Sequence, residues 1–519
     1  MSGPLQRFDL LTTRTEATPE RTALRSLSSG ESYTFRELDE AVTETARALH
    51  ARSSDRPAPN RLGIALSPSP EFVVGFYATV RLGWQVVPLN TALAADALSG
   101  QIDRVEPDIC LCERETEQLT ADVVDTETTT LLSVDEPSVE TTAPLLGESE
   151  SFDQSESLDP SPPELDDTCL ILFTSGTTGD PKAVRLTGGN LVASAIGSAF
   201  RLGVTPADRW LCCLPMYHMG GLAPAIRSVL YGTELLVQPA FDAARTATIL
   251  QDEGVTGVSL VPTQLTRLLD AGVDPDRLRT ILLGGAPAPG RLLDRAREAG
   301  LPVYPTYGLT ETASQVTTAR PAETEEYPGT VGQPLLGTTV RIVEEGQLLE
   351  PGERGEIVVD GPTVSPGYLD ESNTAEAFSV WGLHTGDIGY RDEEGRLWVL
   401  GRRDETIITG GELVSPTDVA ESLQDAPGVT DAAVLGLDDP EWGERVGAVV
   451  AVGEEAFDAA AIREQVIEYC RENLAGYKRP KTIAIAAEIP RTHSGTVDRD
   501  RVRELLRLKG QDVSGTDFS

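Results

Sequence analysis

Hydrophobic positions along the chain follow two spacings, which predict different elements. In RLGIALSPSPEFVVGFYATVRLGWQVVPLN, residues 61–90, a short apolar run, a turn, a helical pattern and a second apolar run follow one another. This is the strand, helix and strand order of a parallel sheet. In SYTFRELDEAVTETARALHA, apolar residues recur at helical spacing after Thr34, and Glu37 follows Thr34 by three positions. The pattern predicts a helix that begins with a capping box, so residues 1 to about 112 are predicted to form an α/β region.

The same alternation returns between residues 168 and about 318. Five apolar runs in this stretch predict strands with helices between them: CLILFT, RWLCCLP, TELLVQ, GVSLVP and RTILLGG. Between the two α/β regions, residues 113–167 hold 17 acidic residues and one basic residue, with many Thr, Ser and Pro. That composition predicts short strands in a solvated, loop-rich segment that carries no chemistry.

The hydrophobic pattern changes again in the last third of the chain. Residues 321–400 show short apolar runs separated by Gly and Pro, which predict a small β-barrel or sheet. From about 402 to 519, strands such as DAAVLGL and RVGAVVAV alternate with the helical stretch DAAAIREQVIEYCRENL. The predicted fold class is therefore α/β. A large N-terminal domain over 1–401 contains two α/β subdomains and a β-rich subdomain, and a small α+β C-terminal domain covers 402–519.

The charge balance changes the expected partners. The chain carries 82 acidic and 43 basic residues, a net charge of −39 and a pI near 4.4. Such a surface repels nucleic acid and anionic lipid, so we expect neither as a partner. Only four of the 43 basic residues are lysines. A low lysine content with many carboxylates favours adaptation to high salt, where the Debye length falls to about 3 Å at 1 M; an ordinary solvated acidic surface is the alternative.

Cysteine usage and the N-terminal sequence bear on location. Six cysteines form no CxxC pair and show no zinc-ligand spacing with the four histidines, so we expect reduced, mostly buried thiols. The N-terminal sequence lacks the apolar stretch of a signal peptide, and no run approaches the length of a membrane-spanning helix. These observations predict a cytoplasmic protein without a membrane span.

The segment LFTSGTTGDPKAV, residues 172–184, places small and hydroxyl residues and a lysine directly after an apolar run. Such a loop can turn several backbone N–H groups towards one point and form an anion nest, to which Lys182 adds a full charge. It is not a Walker A loop, because Ala183 follows Lys182. A plain surface turn is the alternative to a polyphosphate site. The candidate residues of the loop are Thr174, Ser175, Gly176, Thr177, Thr178, Gly179 and Lys182.

This segment resembles the phosphate loop of the adenylate-forming superfamily, which contains acyl-CoA ligases, luciferases and peptide-synthetase adenylation domains. Three further motifs resemble those of the family and stand in its order: YGLTET at 307–312, HTGDIGY at 384–390 and GRRDETIITGGELVSP at 401–416. The likeness covers nearly the whole chain. It implies an AMP-forming acid–thiol ligase that uses ATP, Mg²⁺, CoA and a small carboxylic acid. It also implies a mobile C-terminal domain that rotates about a hinge at Asp404 between two half-reactions.

The resemblance implies individual roles for residues that, taken singly, would pass as core or surface positions. Tyr307 offers a flat face for adenine, and Glu311 is a hard oxygen ligand suited to Mg²⁺. Asp387 can accept hydrogen bonds from the ribose hydroxyls, and Arg402 can reach ribose or phosphate oxygens. The other positions that the resemblance implies are Thr310 and His218 in catalysis, Gly285 and Ala286 beside the nucleotide, and Gly410, Gly411 and Glu412 at the thiol tunnel after rotation.

One motif departs from the family. The segment PRTHSGTVDR, residues 490–499, places Thr496 where the superfamily usually has a lysine that reaches the carboxylate and the α-phosphate. Threonine cannot supply that charge. Either adenylation is slower, or another cation takes the role, or the role has lapsed. The candidate cations are Lys478, Lys481, Arg491, Arg499 and a high concentration of K⁺. No gain in adenylation rate from Thr496→Lys would indicate that the cation is supplied elsewhere.

Two pocket segments, residues 215–232 and 282–316, resemble those of the 2-succinylbenzoate–CoA ligases of menaquinone synthesis. That resemblance implies an aromatic acid with two carboxylates, one of which is activated while the other is recognised by a polar wall. A CoA ligase for another aryl or medium-chain acid is one alternative, and a non-catalytic nucleotide-binding or adenylate-binding relative is another. A homodimer is a further expectation. The candidate residues of the polar wall are His218, Arg227, Gly308, Ser314 and Gln315.

Overall fold

The computed structural model describes residues 7–53, 60–146, 160–174, 181–274, 276–453, 459–491 and 496–513. The helices are α1 (Leu10–Ala17), α2 (Phe35–Ala51), α3 (Pro70–Arg81), α4 (Ala95–Val105), α5 (Arg114–Val123), α6 (Gly188–Leu202), α7 (Met219–Tyr231), α8 (Ala243–Asp252), α9 (Pro262–Ala271), α10 (Gly290–Glu298), α11 (Pro321–Glu326), α12 (Glu371–Ala377), α13 (Pro416–Gln424), α14 (Ala459–Asn473) and α15 (Arg499–Lys509).

The strands alternate with these helices in the first two thirds of the chain. In the last third, several strands follow one another before the next helix. They are β1 (Thr22–Ser26), β2 (Ser32–Thr34), β3 (Arg61–Ala65), β4 (Gln85–Pro88), β5 (Ile109–Cys112), β6 (Thr130–Ser133), β7 (Ala143–Pro144), β8 (Thr168–Phe173), β9 (Ala183–Thr187), β10 (Arg209–Cys212), β11 (Glu234–Val237), β12 (Gly257–Leu260), β13 (Thr280–Leu283), β14 (Val303–Tyr307), β15 (Thr317–Thr318), β16 (Gln333–Pro334), β17 (Thr339–Glu344), β18 (Gln347–Leu348), β19 (Gly355–Asp360), β20 (Gly367–Tyr368), β21 (Phe378–Ser379), β22 (Gly382–Arg391), β23 (Leu397–Arg402), β24 (Ile407–Thr409), β25 (Glu412–Val414), β26 (Val429–Asp439), β27 (Gly443–Val452), β28 (Thr482–Ala486) and β29 (Gln511–Asp512).

Two mostly parallel sheets form the N-terminal part. The first has the order β20-β9-β8-β4-β3-β5-β6-β7, and the second has the order β16-β15-β14-β13-β12-β10-β11-β1-β2. The sheets do not follow the division of the sequence, because β1 pairs in parallel with β11 of the second sheet while β8 pairs in parallel with β4 of the first. One buried cluster joins residues of both sheets, including Leu24, Leu62, Leu170 and Val237.

The helix after Thr34 begins as the sequence predicts. The Thr34 hydroxyl accepts from the Glu37 N–H (3.2 Å), and the Glu37 carboxylate accepts from the Thr34 N–H (2.7 Å). This is the predicted capping box, and it is confirmed. The buried face of α2, which includes Phe35 and Leu38, belongs to the cluster shared by the two sheets.

The acidic segment after residue 112 is more regular than its composition predicts. Its short strands β6 and β7 extend the first sheet, but it also contains the helix α5, so the loop-rich interpretation is wrong there. Glu117 is buried in α5 and accepts from the N–H groups of Ser138 and Val139 (3.1 and 3.0 Å). A carboxylate thereby satisfies backbone donors that would otherwise be unpaired, a use of acidic residues that composition does not reveal.

The remaining strands form two further sheets. The β-rich part has the order β18-β17-β19-β22-β21, with β23 paired to β22. The last sheet has the order β25-β24-β27-β28-β29, with β26 paired to β27. A core containing Val419 and Val466 packs α13 and α14 on this sheet, and another containing Val502 and Leu506 packs α15 on it. The C-terminal part thus has cores of its own, while the boundary between residues 401 and 402 stays a prediction.

All six cysteines are free and buried, as predicted. Burial raises the pKa of the Cys112 thiol to about 12 and that of the Cys470 thiol to about 12, so both stay protonated and unreactive at neutral pH. Within the described ranges, no helix combines the length and the apolar character needed to cross a bilayer.

Candidate active site

A cavity of about 1540 Å³ opens at the carboxyl ends of the parallel strands of the second sheet. Its lining includes Leu214 after β10, Val261 after β12, Gly284 after β13 and Gly308 after β14. The chain leaves β10 for β11 on one side and returns to β12 on the other side. Ligands of open α/β sheets bind where the strand order reverses in this way, because the loops at that point diverge and leave a crevice.

The two described ends of the predicted phosphate loop, Thr174 and Lys182, lie at one edge of this cavity. The strands β8 and β9 form an antiparallel pair in which Phe173 faces Ala183, and the Thr174 N–H donates to the Lys182 carbonyl (3.0 Å). Thr174 and Lys182 line the cavity. The loop residues Ser175, Gly176, Thr177, Thr178 and Gly179 lie outside the described residues.

Tyr368 connects the lysine to the predicted metal ligand. Its strand β20 pairs with β9, and its ring lies 5.3 Å from the Lys182 Nζ, within the range of a cation–π contact. Its hydroxyl donates to Glu311 Oε1 (2.9 Å). Burial and the charge of Glu311 raise the pKa of Tyr368 above its ordinary value, so the phenol remains a donor. A cation, an aromatic ring and a carboxylate are thus brought together from three separate segments.

Glu311 lies in the 3₁₀ turn Thr310–Thr312 and lines the cavity together with Thr310. Its backbone carbonyl accepts from the Ser365 N–H (2.7 Å), which fixes the turn against the segment before β20. The described residues contain no group of three or more His, Cys, Asp or Glu side chains that could hold a metal ion. One carboxylate suits Mg²⁺ when substrate phosphates provide the other oxygen ligands. The residues therefore fit an ion that arrives with a triphosphate.

Asp387 is held between Tyr307 and Arg402. The Tyr307 hydroxyl donates to Asp387 Oδ2 (2.6 Å), and Arg402 Nη1 lies 3.4 Å from Asp387 Oδ1. Burial raises the pKa of Asp387, although the hydrogen bond from Tyr307 and the charge of Arg402 oppose this change. Burial and the charge of Asp387 raise the pKa of Tyr307 well above its ordinary value. Arg402 lines the cavity, whereas Tyr307 and Asp387 are not among its lining residues, although their chain neighbours Thr306, Gly308 and Gly386 are.

Gly308 is required by a close approach of two backbone segments. A Cβ built on Gly308 would lie 1.7 Å from the Ser314 carbonyl oxygen. Ser314 has φ 108° and Ala313 has φ 51°, both unusual for residues other than glycine. Gly308 and Ser314 line the cavity, as does Gly285 in the loop after β13, whereas Ala286 is not among the described residues that line it.

The predicted polar wall is assembled around α7. His218 precedes its first turn and packs edge-on against Tyr217, with ring centroids 4.8 Å apart. Arg227 is only 7% exposed, and its Nη2 donates to Ser194 Oγ (3.4 Å). Gln315 is 1% exposed, and its Oε1 has no hydrogen-bond partner among the described residues. All three side chains line the cavity with Ser314, so the structure brings the predicted wall together.

Arg227 is a buried cation that no carboxylate neutralises within the described part of the chain. Burial lowers its pKa, because water no longer solvates the guanidinium. Burying a charge without a counter-ion is unfavourable, by several kcal/mol in order of magnitude. The cavity at Arg227 therefore offers an anionic group of a ligand a strong partner.

Residues of the C-terminal part close the cavity from another side. Pro490, Arg491, Thr496 and Arg501 contribute to its lining. Of the four protein cations proposed in place of the expected lysine, only Arg491 does so. Lys478 pairs with Asp418 (3.2 Å), Arg499 pairs with Glu405 (2.6 Å) and Arg491 pairs with Asp431 (2.8 Å).

The residues predicted for the thiol tunnel lie apart from the cavity in this arrangement. Gly410 donates its N–H to the Trp442 carbonyl (2.9 Å), and Glu412 pairs with Thr409 between β24 and β25. Neither they nor Gly411 are among the described residues that line the cavity. A role in thiol binding therefore depends on the predicted rotation at Asp404, which does line the cavity.

Sequence reasoning missed two groups at the site. Tyr368 stands in no motif that we identified, and only the pairing of β20 with β9 brings it to Lys182. His384 begins a recognised motif but had no assigned role; its Nδ1 lies 2.9 Å from Glu356 and its Nε2 lies 2.8 Å from Ser379 Oγ. Glu356 also accepts from Arg403 (3.1 Å), so this carboxylate links the cavity wall to the predicted hinge region.

Two family models and several known proteins match this chain over most of its length. The family described as AMP-binding enzyme matches residues 11–369, and the AMP-binding enzyme C-terminal domain matches residues 418–496. The 2-succinylbenzoate–CoA ligase of Bacillus mycoides (strain KBAB4) is 38% identical over 493 residues, which cover 94% of this chain and 96% of the relative.

Two solved structures of o-succinylbenzoate CoA synthetase from Bacillus subtilis are similar over nearly the full length. The complex with the acyl-adenylate intermediate OSB-AMP has a TM-score of 0.85 and 34% identity, covering 97% of this chain and 99% of that chain. The complex with ATP and a magnesium ion has a TM-score of 0.83 and 34% identity, covering 95% and 99%.

Proposed function

The chain belongs to the family of AMP-binding enzymes, and from this premise we propose that it is an ATP-dependent ligase that activates 2-succinylbenzoate as an acyl-adenylate and transfers the acyl group to CoA. The named relatives support this choice of acid, since they carry this activity in their names and cover almost all of the chain. In that role the protein would serve menaquinone synthesis.

The observation that carries the choice of acid is the buried Arg227. A monocarboxylic acid uses its single carboxylate in the reaction and leaves this guanidinium without a counter-ion. A dicarboxylic acid can react through one carboxylate while the other pairs with Arg227, and 2-succinylbenzoate has this second carboxylate on its ring. His218 and Gln315 line the same cavity and supply further polar contacts. The wall therefore favours a substrate with two anionic ends over a fatty acid.

The first half-reaction is adenylation. A carboxylate oxygen of the acid attacks the α-phosphorus of ATP, and the bond from that phosphorus to the bridging oxygen breaks, so pyrophosphate leaves with the electron pair. In this proposal Thr174 and Lys182 bind the β- and γ-phosphates, and Asp387 and Arg402 bind the ribose; the positions of Thr174, Lys182 and Arg402 in the cavity lining support these roles. Positioning and charge neutralisation provide most of the acceleration in such a transfer.

Glu311 would hold Mg²⁺ together with the phosphates, and Tyr368 would orient its carboxylate through the 2.9 Å hydrogen bond. When bound, the ion would neutralise phosphate charge and polarise the phosphoryl oxygens. Lys182, beside the Tyr368 ring, would present its charge to the leaving pyrophosphate.

The second half-reaction is thiolysis, in which the CoA thiol attacks the acyl carbon and AMP leaves. For this step we propose that rotation at Asp404 brings Gly410, Gly411 and Glu412 to the acyl-adenylate. One cavity would then serve both half-reactions, with different residues of the C-terminal part facing it in each.

The setting of the enzyme is part of the proposal. A cytoplasmic location is supported by six free, buried cysteines, and adaptation to high salt is supported by the net charge of −39. A homodimer stays a prediction. We expect the temperature of unfolding to rise with KCl, because salt screens the repulsion among carboxylates.

The test is a CoA-ligation assay in molar KCl with a panel of acids: 2-succinylbenzoate, benzoate and decanoate. The proposal predicts acyl-CoA and AMP formation with 2-succinylbenzoate well above the others. A preference for benzoate or decanoate would contradict the assigned acid but would still support a CoA-ligase activity. Nucleotide binding without turnover of any acid would instead indicate a non-catalytic relative.

A further inference from the structure

Among the described residues, seven lysine and arginine side chains line the cavity, and most of them already have a partner. Lys182 lies over Tyr368, Arg402 pairs with Asp387, Arg403 pairs with Glu356 and Arg491 pairs with Asp431. Arg227 is buried and bonded to Ser194. The side chains of the other two, Arg267 and Arg501, have no ion pair or hydrogen bond to any described residue.

Arg501 differs from Arg267 in the part of the chain that carries it. Arg267 belongs to α9 in the N-terminal wall, whereas Arg501 belongs to α15 in the C-terminal part and lines the cavity together with Thr496. If the C-terminal part rotates between half-reactions, Arg501 leaves the cavity and Arg267 stays. Of these two arginines, only Arg501 can therefore supply a charge that is present in adenylation and absent in thiolysis; Arg491 also belongs to the C-terminal part, but it pairs with Asp431.

The position of Arg501 on its helix is electrostatically unfavourable. It lies in the first turn of α15, where the helix dipole is positive and a cation is disfavoured. Its neighbour Arg499 is neutralised by Glu405, and Arg503 by Asp500 one turn along. Asp498, the N-cap, accepts from the Arg501 N–H (3.1 Å), and Asp500 stands in the same turn, so these carboxylates offset part of the dipole. The Arg501 side chain itself is exposed and has no ion pair or hydrogen bond to any described residue, so it is available to a bound anion in the cavity.

We propose that Arg501 is the catalytic cation that the C-terminal part contributes to adenylation, where it contacts the α-phosphate and the attacking carboxylate. The proposal rests on the proposed function. Two anionic groups must approach each other in this step, and a guanidinium can donate to both at once in a fixed geometry. It would do so beside Thr496, the position at which a lysine was expected. Arg501 transfers no proton in this step, because neither the new P–O bond nor the leaving pyrophosphate requires one.

The test measures the two half-reactions separately in the full-length protein. Adenylation is followed by ATP–pyrophosphate exchange with 2-succinylbenzoate, and thiolysis by release of AMP from preformed acyl-adenylate on addition of CoA. The variants are Arg501→Gln, Arg501→Lys and Arg267→Gln. Arg503→Gln is the matched control, because it removes an arginine from the same helix that pairs only with the exposed Asp500 and does not line the cavity.

Arg501→Gln is expected to slow exchange on the order of 10²-fold, the loss typical of one charge-stabilising donor, and to leave thiolysis within about twofold. Arg501→Lys should retain part of the exchange, and Arg503→Gln should match the unchanged protein in both assays. Adding Thr496→Lys to Arg501→Gln should recover much of the loss, because it returns a cation to the same wall. The unfolding temperature of each variant is measured as a control, and we expect it to be unchanged. An unchanged value would exclude misfolding as the cause of slower exchange.

Three results would overturn the proposal: normal exchange in Arg501→Gln, an equal loss in both half-reactions, or a comparable loss confined to exchange in Arg267→Gln. These results can be distinguished from failure of the proposed function, because in that case the unchanged protein would show no exchange with 2-succinylbenzoate.

Discussion

The N-terminal wall and the C-terminal side of the cavity hold their charged groups in different ways. In the N-terminal wall, Asp387 is fixed by Tyr307 and Arg402, and Glu311 by Tyr368. On the C-terminal side, the side chain of Arg501 has no ion pair or hydrogen bond to any described residue, although Arg491 pairs with Asp431. Fixed groups suit ligands that stay bound through both half-reactions, whereas an unpaired side chain can be brought in and withdrawn. In our proposal, Asp387 and Glu311 therefore serve binding, and Arg501 acts in adenylation alone.

The largest expected effect concerns the wall itself. Arg227→Met should lower kcat/KM for 2-succinylbenzoate about 10³-fold, because the ring carboxylate loses its buried partner, an interaction of the kind that costs about 2–5 kcal/mol when one partner is removed. The unliganded variant should be at least as stable as the unchanged protein in thermal unfolding, because an uncompensated buried charge is gone. Arg227→Lys should fall between the two in activity. A destabilised Arg227→Met would indicate a structural role instead.

A second change tests the rigidity of the wall. Gly308→Ala should lower the free energy of unfolding by about 3 kcal/mol, because its Cβ would lie 1.7 Å from the Ser314 carbonyl and the turn must move. The matched control is Gly100→Ala in α4, where a Cβ meets nothing within 4 Å. We expect this control to gain about 0.5–1 kcal/mol. Equal effects of the two changes in chemical denaturation would show that the wall is not rigid at Gly308.

Removing a contact between the N-terminal and C-terminal regions is expected to have a smaller effect on activity. Arg291 of α10 donates to the carbonyls of Gln424 (2.9 Å), Val429 (3.4 Å) and Thr430 beyond α13. Arg291→Met should slow pyrophosphate exchange about tenfold, the equivalent of one or two lost hydrogen bonds, and should spare thiolysis. Arg295→Met on the same helix removes only an exposed pair with Asp270 and should change neither assay. A loss in thiolysis alone would mean that this contact serves the other arrangement.

The smallest effect tests how Glu311 is held. Tyr368→Phe keeps the ring beside Lys182 and removes the 2.9 Å hydrogen bond to Glu311. The apparent affinity for Mg²⁺ in the exchange assay should fall by about tenfold or less. Because the pKa of Tyr368 is raised, the hydroxyl stays protonated as the pH rises from 6 to 9, and the ratio between the two proteins should stay constant. A ratio that approaches one towards pH 9 would show that the phenol ionises there.

The sequence predicted local features of the fold well and distant pairings poorly. The capping box at Thr34 depends on residues three apart and was predicted correctly. The pairing of β1 with β11, and of β8 with β4, joins segments distant in sequence, and hydrophobic patterns contain no record of which strand pairs with which. The helix α5 was missed because its acidic residues resemble those of a solvated loop, although Glu117 is buried.

The candidate site shows the same division. Residues within motifs, such as Glu311 and Arg402, could be identified because their order along the chain is informative. Tyr368 and Arg501 could not, since both stand outside the identified motifs and reach the cavity through the packing of β20 and α15. The departure from the family at Thr496 was visible in the sequence. Arg501, the cation near it, could be identified only from the position of α15 beside the cavity.

We propose above all that the cavity recognises two carboxylates on one acid. The direct measurement is ATP–pyrophosphate exchange with 2-succinylbenzoate and with 4-oxo-4-phenylbutanoate, which lacks only the ring carboxylate. We predict kcat/KM higher by about 10²-fold or more for 2-succinylbenzoate, and a difference that largely disappears in Arg227→Met. Equal exchange with the two acids in the unchanged protein would contradict the account.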